Sequence, residues 1–341
     1  MDNIFYDYIC AVMRYSWPKM INESRCRVSG LKEYSNKFKS ELYDMKKYIS
    51  NFIDDDNKDR FDFDIYKENV IINNDFKINK LCVTITYYKA ISHRYYNGYD
   101  PKRSHSDKVV IKNGEKYHDI DIRIVVWGND VSDLIYRTLV AFEHEMTHAY
   151  TDIKMTDGEY LMDKVSDDRN YLQRSEDKTT FEINDNTRDF LYIIDGFERN
   201  ATIGQLWREF DELNMPLKTE DDIMAAFKKT DAGKQVEFIN RYVVEVDSIR
   251  TRLNGLLRLI NKSKDEAIIE EYSILKCKYN TYVNVFKKLS KMNVGKQLND
   301  FTNKLHNLVS KFCDKVYGAA SIAAHEIEIE REHNEMIKRK I

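Results

Sequence analysis

The period of the apolar residues changes twice along this chain, and the change limits the folds open to it. Between residues 31 and 52 they recur at steps of three and four (Leu31, Tyr34, Phe38, Leu42, Met45, Tyr48, Phe52), which predicts a helix over 31–53. Phe61, Phe63 and Ile65 then alternate with acidic residues, and 81–88 is dense in β-branched and aromatic side chains, as strands are. Residues 109–112, the pair Asn113-Gly114 and residues 116–127 read as a hairpin, because Asn-Gly supplies the backbone of a tight turn. After Gly128 the helical period returns, with Leu134, Ile135, Leu139, Phe142 and Met146 predicting a helix over 131–152. A further helix is expected over 189–211, and from 218 onward the chain reads as almost all helix. Val236, Ile239, Val243, Val246, Ile249, Leu253, Leu256 and Ile260 form the seam of a bundle, with long helices following near 265–291 and 295–338. Only three prolines interrupt 341 residues. Residues 3–20 read as a short amphipathic helix, and 91–107 and 154–189 as loops.

This order predicts an α+β fold, with a mixed sheet and a long helix followed by a long-helix C-terminal bundle. The expected division is a domain over 1–215, its core at roughly 30–215, and a helical region over 216–341. A net charge of −3 argues against general nucleic-acid binding. Five cysteines, an odd number without CxxC spacing, argue against a disulfide framework and for free thiols in a reducing compartment. The N-terminus lacks the pattern of a signal peptide, and no stretch approaches 18 uncharged apolar residues. A cytoplasmic location with no membrane partner is therefore the expectation. The Lys-, Asn-, Asp-, Ile- and Tyr-rich composition suits an AT-rich bacterial or phage genome.

The helix predicted over 131–152 carries His144-Glu145-Met146-Thr147-His148. Residues four apart lie one turn apart on one helix face, so the two imidazoles can meet at one ion. Neutral imidazole suits Zn²⁺, and Glu145, beside the ligands, is placed to take a proton from a zinc-bound water. A pattern with three fixed positions arises by accident in on the order of one or two sequences per hundred of this histidine content, so its flanks must decide. Phe142, Met146, Thr147, Ala149 and Tyr150 carry no charge, and neither Pro nor Gly breaks the run, as a buried helix requires. By contrast, His325-Glu326-Ile327-Glu328-Ile329 lacks the second histidine and reads as a solvated face.

Hydrolytic zinc needs a third protein ligand and an open position. Glu198 is the candidate: it follows His148 on a second predicted helix, whose Ala201 and Gly204 permit close approach to the first. Asp152, Glu159, Glu176, Glu182 and Glu209 compete. Asp152 sits one turn past His148, about 6 Å farther along the axis, which suits a supporting role better than ligation. Arg199, Tyr192 and Tyr150 are candidates for stabilising a transition-state oxyanion, each with an equally ready packing role. His93, His105 and His118 read as lone exposed histidines.

HEMTH with a downstream Glu on another helix, preceded by a helix and several strands with a hairpin, resembles the gluzincin branch of the zincin metallopeptidases. The likeness covers roughly residues 30–215. It implies a zincin-like mixed sheet with an active-site helix, His144, His148 and Glu198 as zinc ligands, and Glu145 as general base. It also implies that a strand within 122–127 lines the cleft and receives a protein or peptide substrate as an added antiparallel strand. Thermolysin-like members carry an Asp four residues after the glutamate ligand to support a ligand histidine. Here that position is Thr202, with Asp195 or Asn200 as substitutes. The metzincin pattern fails, because Asp152 stands where Gly would. Cys82 does not sit in the cysteine motif of peptide deformylase.

The expected activity is zinc-dependent hydrolysis of peptide bonds. Two alternatives stand beside it. One is a non-catalytic interaction or assembly protein on a zincin-like scaffold, using the C-terminal helices for a protein partner or self-association. The other is a zinc amidohydrolase acting on a non-peptide amide.

Overall fold

The computed structural model describes residues 28, 30–89, 96–97, 109–154, 178–290, 292–295 and 298–340. The helix expected over 3–20, nearly all of the loop 91–107 and most of the loop 154–189 lie outside the described residues, as do His93, His105, Glu159 and Glu176. The chain forms two compact units that are interleaved in sequence. One comprises residues 24–157, 200–230 and 319–341; the other comprises 1–23, 158–199 and 231–318.

The first unit is built on a sheet. Helices α1 (Leu31–Asp44) and α2 (Lys46–Asp54) precede strands β1 (Arg60–Asn73), β2 (Phe76–Tyr88), β3 (Tyr96–Asn97), β4 (Val109–Lys112) and β5 (Glu115–Trp127), and helix α3 (Val131–Lys154) follows. The single helix expected over 31–53 is thus two. The Met45 N–H is shared between the Glu41 and Leu42 carbonyls, a tightening that keeps Ile49 and Phe52 of α2 in the core. Strand order is β1-β2-β5-β3, with β4 paired to the start of β5. β2 runs antiparallel to β1 and parallel to β5, while β3 and β4 run antiparallel to β5. The sheet is therefore mixed.

Alternation decides which face is buried. Ile120, Ile122, Ile124 and Val126 of β5 point into the core. On β2 the buried set changes from Phe76 and Ile78 to Leu81, Val83, Ile85 and Tyr87, a change of parity that coincides with a register shift against β5 between Ile78 and Lys80. Side chains on a strand alternate with a period of two, so one extra residue moves the rest of the strand to the other face. The β1–β2 hairpin extends beyond the alternation seen in the sequence, because half-buried Lys67 and exposed Glu68 and Asn69 interrupt the apolar period in mid-strand.

Helix α3 packs its apolar stripe (Leu134, Ile135, Leu139, Phe142, Met146) into this core with Leu31, Phe38 and Leu42 of α1. The Phe38 and Phe142 rings stack at 3.9 Å. Asp130 accepts from the Asp133 N–H at 2.8 Å and starts the helix. The Tyr87 hydroxyl donates to Thr138 Oγ1 at 2.9 Å and ties β2 to it, Thr138 itself donating to the Leu134 carbonyl.

The second unit is helical. It holds α4 (Lys178–Ile194), α7 (Asp231–Ile260), α8 (Glu266–Ser290) and the first half of α9 (Leu298–Lys340). The seam of α7 is buried as its spacing predicts, except at Ile260, which is half-buried. Tyr242 stacks on Phe190 at 4.6 Å and shares a hydrogen bond with Thr187 at 2.8 Å, and the Tyr282 hydroxyl donates to Glu245 at 2.7 Å. α4 begins within the stretch expected to be loop. Its inward positions include Asn184 and Thr187 beside Ile183, Phe190 and Leu191, so the apolar period that announces a helix is diluted. The helix expected over 189–211 is likewise divided at Asp195, between α4 and α5 (Gly196–Leu213). From Asn200 onward α5 belongs to the sheet unit, with α6 (Glu220–Phe227) and the end of α9. Arg331 of α9 donates to the Met215 carbonyl at 2.7 Å, and Lys32 of α1 pairs with Glu330. Among the described residues no helix is long and apolar enough to cross a membrane.

Candidate metal centre

Helix α3 presents HEMTH from a buried position. Met146 and Thr147 have almost no exposure, His148 is 5% exposed, Glu145 2%, and His144 is half-buried. The helical period brings the two imidazoles together: His144 Nε2 and His148 Nε2 are 2.9 Å apart, with the rings edge to face at 82°. His144 Nδ1 faces the side-chain oxygen of Gln205 at 2.7 Å. A carbonyl oxygen can only accept, so this contact favours the tautomer with the proton on Nδ1 and the lone pair on Nε2.

Gln205 belongs to α5, which crosses α3 in the antiparallel sense. Glu143 meets Arg208, His144 meets Gln205 and Thr147 meets Gly204. Residues 201–210 of α5 are all buried, including Thr202, Gln205, Arg208 and Glu209. Two features set the distance between the helices. A Cβ on Gly204 would lie 2.4 Å from Thr147 Oγ1, so the approach requires glycine. Arg208, with no exposed side-chain surface, donates through Nε to Glu143 at 2.9 Å, and through Nη2 to Ser35 at 3.0 Å and Asn36 at 2.9 Å. Its Nη1 reaches Glu212 at 3.3 Å. One guanidinium thereby joins α5 to α3 and α1. The ionised partner and the hydrogen bonds offset the cost of burying its charge.

Glu198 stands on the first turn of α5, a continuous helix whose body packs on α3, and is 3% exposed. His144, His148 and Glu198 each offer one ligand atom, and these atoms lie within 4.8 Å of one another. Of the competing acids, Glu209 is buried on α5 and Glu182 is exposed on α4, and neither belongs to this group. Asp152 falls within α3, its side chain outside the described residues. Asp195, Asn200, Arg199 and Tyr192 are half-buried, and the ring of Tyr150 packs against Phe76 at 5.4 Å. Thr202 is fully buried at the position where thermolysin-like proteins carry Asp, yet the His144 ring is held by Gln205, one turn farther on. The sequence reading missed Gln205. The available signal was its seven-residue, two-turn spacing from Glu198, which puts both on one helix face.

Two expectations need correction. His118, on β5, is buried rather than exposed. The strand at residues 122–127 has no free edge at Ile124 and Val125, which pair with β2 on one side and with Asn97 and Tyr96 on the other. Cys82 is half-buried on β2 outside the ligand group, its thiol pushed up by burial and by Asp64 and Asp121 nearby.

Two ring nitrogens and a carboxylate oxygen are the donor set of a zinc site with an open position, in which ligand atoms sit about 2.0–2.2 Å from the ion. The convergence of His144 and His148 at 2.9 Å fits such a set. Comparison of the chain with protein-family models, with curated proteins and with solved structures gives no match.

Proposed function

We propose that this chain is a zinc-dependent metallopeptidase, with His144, His148 and Glu198 holding the metal and Glu145 acting as general base. The observation that carries the reading is the approach of the three ligand atoms to within 4.8 Å of one another on two helices of fixed spacing. Zinc, when bound, supplies Lewis-acid polarisation of a carbonyl and makes water more acidic. Glu145 follows a ligand in sequence and is shielded from bulk solvent, where electrostatic effects are stronger. Its carboxylate takes a proton from the attacking water and returns it to the leaving nitrogen, so one group serves as base and then as acid. Gln205 and the Gly204–Thr147 contact hold the groups in place before substrate arrives, and positioning of this kind lowers the barrier. Peptide as substrate rests on the resemblance to gluzincins. An extended peptide adding to the sheet on this side would pair with β3, which lies outside β5.

The test is zinc content by mass spectrometry together with cleavage of casein and a peptide library. Wild type is expected to hold one zinc per chain and to cleave. Glu145→Gln should keep zinc and lose cleavage by about 10²–10⁴-fold, the usual worth of a positioned acid–base group. His148→Ala should lose zinc. Zinc held with no peptide cleaved would favour a structural site, and cleavage indifferent to zinc removal would sink the proposal.

A further inference from the structure

We infer that Gln205 is the positioning residue of the metal site, holding His144 as the Nδ1–H tautomer with Nε2 directed at the ion. This rests on the zinc reading above and goes beyond its ligands and base. The Gln205 oxygen lies 2.7 Å from His144 Nδ1 and the side chain is 4% exposed, so solvent has little room to replace it. His144 is the less buried of the two histidines and has more freedom to turn. Gln205 is itself fixed from both sides along α5: Gly204 is pressed against Thr147, and Arg208 is bound to Glu143.

The choice of an amide has a chemical consequence. A carboxylate at this place would hold the ring equally well and would add a negative charge beside the metal. The amide adds none, and the ligand set of two neutral imidazoles and Glu198 keeps a single negative charge. A glutamate here should therefore raise metal affinity, and an apolar side chain should lower it. Partners that orient ligand histidines are commonly worth about 10–100-fold in metal affinity.

The test uses the full chain and two readouts independent of turnover. The first is the zinc dissociation constant, by competition with a chromophoric chelator. The second is the ¹⁵N spectrum of the imidazoles in metal-free protein at pH 8, which distinguishes the two neutral tautomers. Gln205→Leu, nearly equal in volume, should bind zinc about 10–100-fold more weakly. It should also lose the Nδ1–H signature of His144 that wild type displays. Gln205→Glu should restore that signature and bind at least as tightly as wild type, a rescue that a packing role alone would not give. If Gln205→Leu does not fold, the wild-type spectrum and Gln205→Glu decide. An Nε2–H tautomer in wild type, or affinity lowered by glutamate, overturns the inference. If wild type binds zinc and Gln205→Leu matches it in affinity and spectrum, this inference alone fails; if wild type takes up no zinc, the metal reading fails with it.

Discussion

Gly204→Ala tests whether the spacing of α3 and α5 matters to the site. The added Cβ would stand 2.4 Å from Thr147 Oγ1, 3.1 Å from its Cγ2 and 3.2 Å from its Cβ, against ordinary contact beginning at 3.4 Å. Thr147 cannot turn aside freely, because its hydroxyl donates to the Glu143 carbonyl at 2.8 Å; breaking that bond costs about 0.5–1.5 kcal/mol. The other way out is separation of the helices by about an ångström, and overpacking of this size costs about 1–3 kcal/mol. Alanine's better helix propensity returns about 1 kcal/mol. The net change in stability is then a loss of about 1 kcal/mol, while the change at the site is large. Glu198 and Gln205 ride on α5, and ligand distances tolerate only about 0.2 Å. Zinc affinity should fall at least tenfold, measured by chelator competition, with a small fall in the denaturant midpoint. Adding Thr147→Ala removes both the Oγ1 and Cγ2 contacts and should recover most of the affinity. A Gly204→Ala protein that binds zinc like wild type, or a double variant no better than the single, would refute the reasoning.

Arg208→Met strips a buried carboxylate of its main partner, and breaking one side of such a pair typically costs about 3–5 kcal/mol; urea denaturation should show a loss of that order, with Glu143→Gln in the same chain recovering more than half of it. A single variant within 1 kcal/mol of wild type would count against this role for the guanidinium. In the helical unit, burial pushes the Cys313 thiol up from 9.0 to about 12, with Asp314 adding to the effect. The folded state thus holds its proton longer than the unfolded state. The associated stability is full below pH 9 and is lost as pH rises toward 12, so urea midpoints of wild type should fall more steeply over that window than those of Cys313→Ala. Equal slopes would contradict it. Alkylation at pH 8.5, read by peptide mapping, should modify the exposed Cys277 well ahead of Cys313.

What the sequence made legible follows from how strongly each segment obeys a single period. The HEMTH helix and the α7 seam repeat apolar residues at three and four without interruption, and both form where the spacing puts them. The β4–β5 hairpin is announced by Asn113-Gly114, whose positive backbone angles the turn uses. Legibility fails where polar residues go inside. Asn184 and Thr187 hide the start of α4, and Thr202, Gln205, Arg208 and Glu209 of α5 are buried among residues 201–210 without an apolar period to announce it. A hydrophobic pattern assumes that polar side chains face water. It cannot register Arg208 or Gln205, which satisfy their polar groups on residues distant in sequence.

Those failures share a location. A glycine in mid-helix weakens the helix, a buried arginine needs a charged partner, and a buried glutamine needs an acceptor or donor of matching geometry. α5 carries all three at 204, 205 and 208, and each is answered from one side by α3, at Thr147, His144 and Glu143. A helix serving only to fill the core would be more stable with alanine and leucine at these positions. Their joint presence opposite Glu143, His144 and Thr147 supports a helix shaped for what α3 presents. Departures from local folding preference are expected where function is carried, and compensation by specific contacts distinguishes such a place from a loosely packed one. On that ground the case for a metal site rests less on the five residues of HEMTH than on the helix that lies across them.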